Sequence, residues 1–534
     1  MKSLICFAAT LLVALAMLSS SAGGQQYAYR TPKDVLVFGA IGDPRDLDPA
    51  KAYDTASSMI IDNVYEKLVD YKIVDGKWTP EIVPALAESW DISKDGMTYT
   101  FKLRKNATFH DGTRFNASAV VYSFERAKKM NLGPYGPVLG VAYDGSRAVD
   151  EYTVEIRLKH PYQPFLQVLA HSVCAIVSPT AVEQHGGVEA NTINQWMNTN
   201  MVGTGPFTLE KWTQGSEVIL RRNDKYWGQK PSLNRVIIRT IKEPTTQWMN
   251  LQGGDIDIAE GLTIEDIDRI LKQGNPRVKI VQSNYVFTRQ HLTINTEKAP
   301  LNNKVVRQAI AYGIDYDAFI DGVMRGHGKR IRAMVPPGMI GYDETTKGYD
   351  YDPKKANQLL DQAGFSKGND GMRNISLVYS YNEGNPVRQR VGVIFQSQMK
   401  DLGINVEIQP LSWPAWLDAT DTGGFQIGFL GWQADYPAGD NMLYPLCHSD
   451  NVGPGGNSAR YNNPEVDELI EQIMSETDEA KLKQLYRDAQ EIINEDCPYI
   501  HMYVPEGNIA AGKWVNGFAY YPVGGYQFKY VTKA

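Results

Sequence analysis

The sequence predicts an α/β chain of several domains, with strands and helices interleaved along its length. Three observations carry this. Strict alternation marks strands, as in Thr98-Tyr99-Thr100-Phe101-Lys102-Leu103-Arg104, where Tyr99, Phe101 and Leu103 share one face. Apolar residues at helical spacing mark helices, as at Val466, Leu469, Ile470 and Ile473. The 534 residues are 43% hydrophobic and 22% charged, enough core for roughly three domains of ~150 residues each.

The chain opens with Met1-Lys2-Ser3, an apolar run from Leu4 to Leu18, and Ser20-Ser21-Ala22. A basic start, a short apolar core and a small-residue end specify a secretory signal peptide over 1–22, cleaved after Ala22. The run is too short for a membrane span. Cys6 lacks the context of a lipid anchor. The mature protein is expected in the periplasm or another extracytoplasmic space, and as a monomer. Its formal charge of −7 becomes one unit more negative when Lys2 is removed, which disfavours nucleic acid and anionic membranes as partners. Cys174, Cys447 and Cys497 remain. An exported compartment permits disulfides, and Cys447 with Cys497 is the first pair to test. No Cys-x-x-Cys occurs, so thiol redox chemistry and a cysteine zinc site have no support.

The elements then follow in order. Asp34 to Gly39 reads as a strand, and Thr55 to Leu68 as a helix with Ile60, Val64 and Leu68 on one face and Asp54 as N-cap. Asp95-Gly96 turns into the alternating strand, and Phe109-His110-Asp111-Gly112 turns out of it. Ala117 to Lys128 is helical, and Thr153 to Leu158 is a second alternating strand. Gly203-Thr204-Gly205-Pro206-Phe207 turns sharply. It lacks the Lys-Ser/Thr ending of a phosphate loop and feeds a strand, so nucleotide binding is not expected there. Strands are read at Val218 to Arg221, Val236 to Thr240, Gly254 to Ala259 and Leu292 to Thr296, with a helix from Thr263 to Leu271. Val306, Ala309, Ile310 and Gly313 form a helical stripe capped by Asn302 or Asn303. A helix from Val387 to Leu402, ended by Gly403, feeds the strand Ile404 to Ile408. The Val466 stripe is followed by another at Leu482, Leu485, Tyr486, Ala489 and Ile492, and Pro498 to Tyr503 is a last strand.

One stretch stands out for function. Phe425 to Leu430 reads as a buried strand that delivers Trp432, Asp435 and Tyr436 into a loop. An aromatic wall beside a fixed carboxylate suits the cationic end of a small organic molecule.

Several segments together resemble the family 5 extracellular solute-binding proteins, the dipeptide, oligopeptide and nickel receptors of ABC importers. They are Pro84-Ala85-Leu86-Ala87-Glu88-Ser89-Trp90, Asp95-Gly96, Phe109-His110-Asp111-Gly112-Thr113, Val120 to Phe124 and Gly203-Thr204-Gly205-Pro206-Phe207. Asn223-Asp224-Lys225-Tyr226-Trp227, Asn295-Thr296, Val306-Arg307-Gln308-Ala309 and Tyr461-Asn462-Asn463-Pro464-Glu465 continue the series. The resemblance covers nearly the whole mature chain. It implies a periplasmic binding protein-like α/β fold, two lobes closing about a hinge, with an additional inserted domain. Domain I would take 23–75, 201–284 and 505–534; domain II, 76–200; domain III, 285–504. The implied partners are a small polar solute and the permease subunits of the transporter. No cofactor, metal or catalytic residue is implied.

In the family's peptide receptors an acidic residue just after the Trp-x-x motif binds the peptide amino terminus, and Asp435 occupies that place. Trp413 resembles a tryptophan that faces the ligand. Trp432 and Tyr436 are divided between pocket and core. Arg289, with His291 near it, precedes Asn295 on a strand where the family often faces the cleft, and could meet a ligand carboxylate with both guanidinium nitrogens; the alternative is an inter-lobe ion pair. In dipeptide receptors an arginine seven positions before the arginine that opens the next helix holds the peptide carboxylate. Taking Arg388 as the helix-opening residue places Tyr381 there. Without that clamp, a longer peptide or an amine-bearing non-peptide is expected. His110 and Asp111 read as a structural turn. His448 and His501, read as exposed, have no ligand-spaced partner. A secreted hydrolase is the enzyme alternative, but no Gly-x-Ser-x-Gly or His-Glu-x-x-His is present. An exported sensor, or a receptor for an oligosaccharide or metal complex, would use the same lobes.

Overall fold

The computed structural model describes residues 30–284, 286–454, 456–476 and 478–534. The signal peptide expected over 1–22 lies outside them, as does Tyr285 at the expected start of domain III.

Two large sheets anchor two lobes. The first has seven strands in the order Val278–Ser283, Gly507–Gly512, Ile258–Ala259, Val35–Ala40, Arg235–Thr240, Glu217–Arg222 and Phe207–Thr213. Val35–Ala40 pairs parallel with Arg235–Thr240. Leu36, Phe38 and Ala40 face one core and Val37 another, which is why this strand reads as an unbroken apolar run. The second sheet has six strands in the order Gly328–Arg330, Tyr499–Pro505, Thr288–Ile294, Ile427–Gln433, Ser376–Asn382 and Asn405–Leu411. A four-stranded antiparallel sheet, Ala87–Ile92, Thr98–Leu103, Thr153–Leu158 and Tyr143–Asp150, joins the first lobe. Tyr99, Phe101 and Leu103 face its core, as their alternation predicts.

Local chemistry sets the element ends. Asp54 caps the helix Thr55–Val64 by accepting from the Ser57 N–H at 3.0 Å. That helix stops four residues earlier than its periodicity suggests. The Gly203–Gly205 turn lies against its end, and the Gly205 N–H takes the Val64 carbonyl at 3.0 Å. A Cβ on Gly203 would sit 2.2 Å from that carbonyl oxygen, so only glycine fits. His110 clasps the same turn: its Nδ1 accepts from the Gly203 N–H and its Nε2–H donates to the Gly205 carbonyl, a structural role. The helix Ala117–Met130 is tied to the loop at 46–49 by Arg126, whose two terminal nitrogens grip both oxygens of Asp48 in a buried fork.

Cys174, Cys447 and Cys497 are buried and unpaired among the described residues, so the Cys447–Cys497 pair singled out for testing is not bridged. Cys447 belongs to a core shared with the four-stranded sheet, and Cys497 to the core of the six-stranded sheet. His448 and His501 are buried rather than exposed. Among the described residues no helix is long and apolar enough to cross a membrane.

Among the described residues the chain passes between the two large sheets twice, between Ser283 and Thr288 and between Pro505 and Gly507. Two short crossings are the anatomy of a hinge. His327 of the second lobe sits beside it, with Nδ1 2.8 Å from Glu506 and Nε2 3.0 Å from Asp268 of the first lobe. Burial is the largest single influence on this imidazole and lowers its pKa, but the two carboxylates together outweigh it and the net shift is upward. The bridge therefore contributes fully below the unperturbed value of ~6.5 and is lost as pH rises through the higher folded value. The melting-temperature gap between wild type and His327→Gln is expected to be widest near pH ~6 and to close toward pH ~9. A gap that widens with pH would contradict the bridge.

Candidate functional site

A cavity of about 270 Å³ lies between the lobes, with Tyr53, Asp54 and His171 on one side and Arg388, Trp413, Trp432 and Asp435 on the other. Asp435 is its best-held group. It is 9% exposed and follows the strand Ile427–Gln433. The Asn441 side chain locks it from both directions, donating to Oδ2 at 2.8 Å and accepting from the Asp435 N–H at 2.7 Å. The Tyr53 hydroxyl donates to Oδ2 at 2.8 Å, and His171 Nε2 lies 3.2 Å from Oδ1. The Val173 N–H donates to His171 Nδ1, so in the neutral ring the proton sits on Nε2 and points at Asp435. Burial, and then the Asp435 charge, push the Tyr53 hydroxyl well above its ordinary pKa, so it remains a donor. Oδ2 is served twice and Oδ1 once, which leaves Oδ1 acceptor capacity for a ligand.

The walls are aromatic. Tyr53 meets the Trp432 ring edge-on at 5.5 Å. Gly456, at φ 115°, lies behind Trp432; a Cβ there would come within 2.9 Å of the indole. Trp413 opens the helix Trp413–Thr422, which Ser412 caps, and its Nε1 points at Asp54 Oδ1 across the lobes at 3.4 Å. Asp54 Oδ2 and the Trp432 Nε1 are buried and have no hydrogen-bond partner among the described residues.

Arg388, in the first turn of the helix Pro386–Asp401, supplies the cavity's cation. One terminal nitrogen donates to Asn382 Oδ1 at 2.7 Å, and Nε has no partner. No carboxylate among the described residues pairs with it. Burial draws its pKa down to about 10.

Of the residues expected at the site, the fold brings Asp435, Trp413 and Trp432 together around this cavity. Trp432 lies on the strand rather than in the loop, because pairing with Thr288–Ile294 continues through Trp432 opposite Arg289. The expectations for Arg289 and Tyr381 are corrected, and Tyr436 takes the core alternative. Thr288 and Gln290 line the cavity, and Arg289 between them does not. It is 0% exposed, beside His501 and Met334 and over the Tyr499 ring. Tyr381 alternates with Leu377 and Tyr379 onto the core of the second lobe. Tyr436 is 0% exposed and is held by Tyr162 and Asp440. Tyr53, His171 and Arg388 were missed as lining groups. Asp54 was read only as a helix cap and Arg388 only as a helix opener, and nothing local marks Tyr53 or His171 as facing a cavity.

Two lobes, a two-crossing hinge and a polar–aromatic cavity between the lobes define a hinged ligand receptor. The chain belongs to the bacterial extracellular solute-binding proteins of family 5, whose middle region it matches over residues 81–454. It is 33% identical over 496 residues to a probable D,D-dipeptide-binding periplasmic protein, DdpA, of Escherichia coli (strain K12), covering 92% of each chain. It is 30% identical to heme-binding protein A of Haemophilus influenzae, covering 97% of this chain and 96% of that protein. It superposes with a TM-score of 0.82 and 31% identity on an ABC transporter-associated periplasmic binding protein, DppA, of Helicobacter pylori in complex with the peptide STSA. That match covers 93% of this chain and 98% of the other. The chain is accordingly an extracytoplasmic substrate-binding protein of an ABC transporter.

Proposed function

We propose that the protein captures a short peptide, or a peptide-like solute, with a free ammonium group and a free carboxylate, and presents it to its permease as a monomer after its signal peptide is cleaved. It performs no chemistry on the solute. The observation that carries this reading is the pairing of Asp435 and Arg388 on one small cavity, an anchored carboxylate and a guanidinium without an anion. A volume of about 270 Å³ falls just below the ~300–1,000 Å³ of most ligand pockets, which favours a dipeptide-sized occupant over a long peptide. The site therefore has a cation to meet a carboxylate, supplied from the helix and not from position 381. The peptide held by the H. pylori relative, and the name of the E. coli relative as a probable D,D-dipeptide-binding protein, support this reading.

Calorimetry with a panel of L,L- and D,D-dipeptides and their N-acetylated and C-amidated forms tests it. Saturable binding of a free dipeptide is expected, with either blocked end weakening it at least about tenfold, the loss of one charge-assisted bond. Equal affinity for free and doubly blocked peptides would remove the zwitterion from the reading.

A further inference from the structure

A second and larger cavity, about 920 Å³, lies between the lobes on the side of the four-stranded sheet. Tyr99 and Tyr162 line it from the first lobe, and Tyr342, Asp440, Leu482 and Tyr486 from the second. Its mouth carries exposed apolar surface, with Ile340 52% and Tyr342 37% exposed. At its floor Asp440 is 3% exposed. The hydroxyls of Tyr162 and Tyr436 both reach one oxygen, Oδ2, and the backbone N–H groups of Asp440 and Asn441 also serve the carboxyl at the start of its helix, but no described cation does. The neighbouring charges are already matched: Arg487 with Asp343 at 2.9 Å, Lys483 with Glu479 at 3.3 Å and Lys481 with Glu476 at 2.6 Å. Asp440 is the buried carboxylate of this groove for which the described residues offer no cation. Tyr436, fully buried, stands between Asp435 at the smaller cavity and Asp440 here, so the two spaces are separate.

We propose that this groove is a second ligand site, for an organic ammonium compound with an aromatic or branched aliphatic body. The ammonium meets Asp440 Oδ1, and the apolar body lies against the tyrosines, Leu482 and Ile340. An unpaired buried carboxylate is costly, and a cation that desolvates with it offsets that cost. Tyrosine faces attract such cations further. Because both lobes supply the walls, the occupant binds the closed form and stabilises it, and by reciprocity anything that closes the lobes tightens its binding.

The probe is 2-naphthylethylammonium, with 2-naphthylethanol as its neutral control. An amine could also enter at Asp435, so the titration uses Asp435→Asn. Saturable binding is expected to persist there, at least about tenfold tighter for the ammonium than for the alcohol, with compaction by small-angle scattering. Asp440→Asn in that background should abolish the preference. Should that variant fail to fold, the exposed pair Ile340→Ser and Tyr342→Ser should weaken probe binding with the melting temperature unchanged. Equal binding of the alcohol, or binding indifferent to the Ile340 and Tyr342 changes, would overturn the site.

Discussion

Asp435→Asn is expected to weaken an amine-bearing ligand by about tenfold to a hundredfold, the value of a charge-assisted bond at ~1.5–3 kcal/mol. Two effects of the carboxylate must be separated. It offers Oδ1 to the ligand, and it also receives Tyr53 and His171 from the other lobe. A weakened latch would lower the affinity of every ligand, whereas a lost ammonium contact would lower only that of ligands with a free amine. Titrating a free and an N-acetylated dipeptide against the variant decides between them. The expected result is a large loss for the free peptide and a small one for the blocked peptide. Tyr53→Phe, which removes one latch bond and leaves the charge, should lower both slightly and equally. The fold should tolerate the change, because an Asn at 435 can keep its carbonyl oxygen in the Oδ2 place and still accept from Asn441 and Tyr53. Undiminished binding of the free peptide to Asp435→Asn would remove this residue from the site.

Arg388→Met is expected to separate binding from stability. Affinity for a peptide with a free carboxylate should fall by about tenfold to a hundredfold, while a C-amidated peptide should be nearly indifferent. The free protein should be as stable as wild type or more so. Burial holds the Arg388 pKa down at about 10, which means the charged form is disfavoured where it stands. Replacing buried charge by an apolar side chain of similar length is often neutral or stabilising by ~1–4 kcal/mol. Against this, Asn382 Oδ1 loses its donor, at a cost of ~1–3 kcal/mol if it stays buried. Denaturant melts of Arg388→Met and of Arg388→Met with Asn382→Leu measure both terms. A large loss of stability in the double variant would mean that Arg388 is a structural cation, and the ligand carboxylate would need another partner.

Local pattern and residue type placed the strand at Thr98, the helix from Ala117, the helical stripe at Val466 to Ile473 and the cap at Asp54, where the structure has Thr98–Leu103, Ala117–Met130, Pro464–Ser475 and an Asp54 cap. These depend on neighbours within one or two turns, and the local rule prevailed in each. It failed where a distant segment competed for the same backbone. The helix after Asp54 ends at Val64 because the Gly205 N–H takes its carbonyl, and the strand after Phe425 runs to Gln433 because Thr288–Ile294 continues to pair with it.

The sequence by itself determined the family, through motifs spread over most of the chain, and named Asp435, Trp413 and Trp432. What it could not determine is which side chains share a cavity. Neighbours on one strand can have different surroundings, and here Arg289 is buried outside the cavity while Gln290 lines it. The guanidinium that reaches the cavity comes instead from Arg388, on a helix whose position is set by packing against the six-stranded sheet. Tyr53 and His171 arrive from the other lobe, and only closure about the two crossings brings them to Asp435.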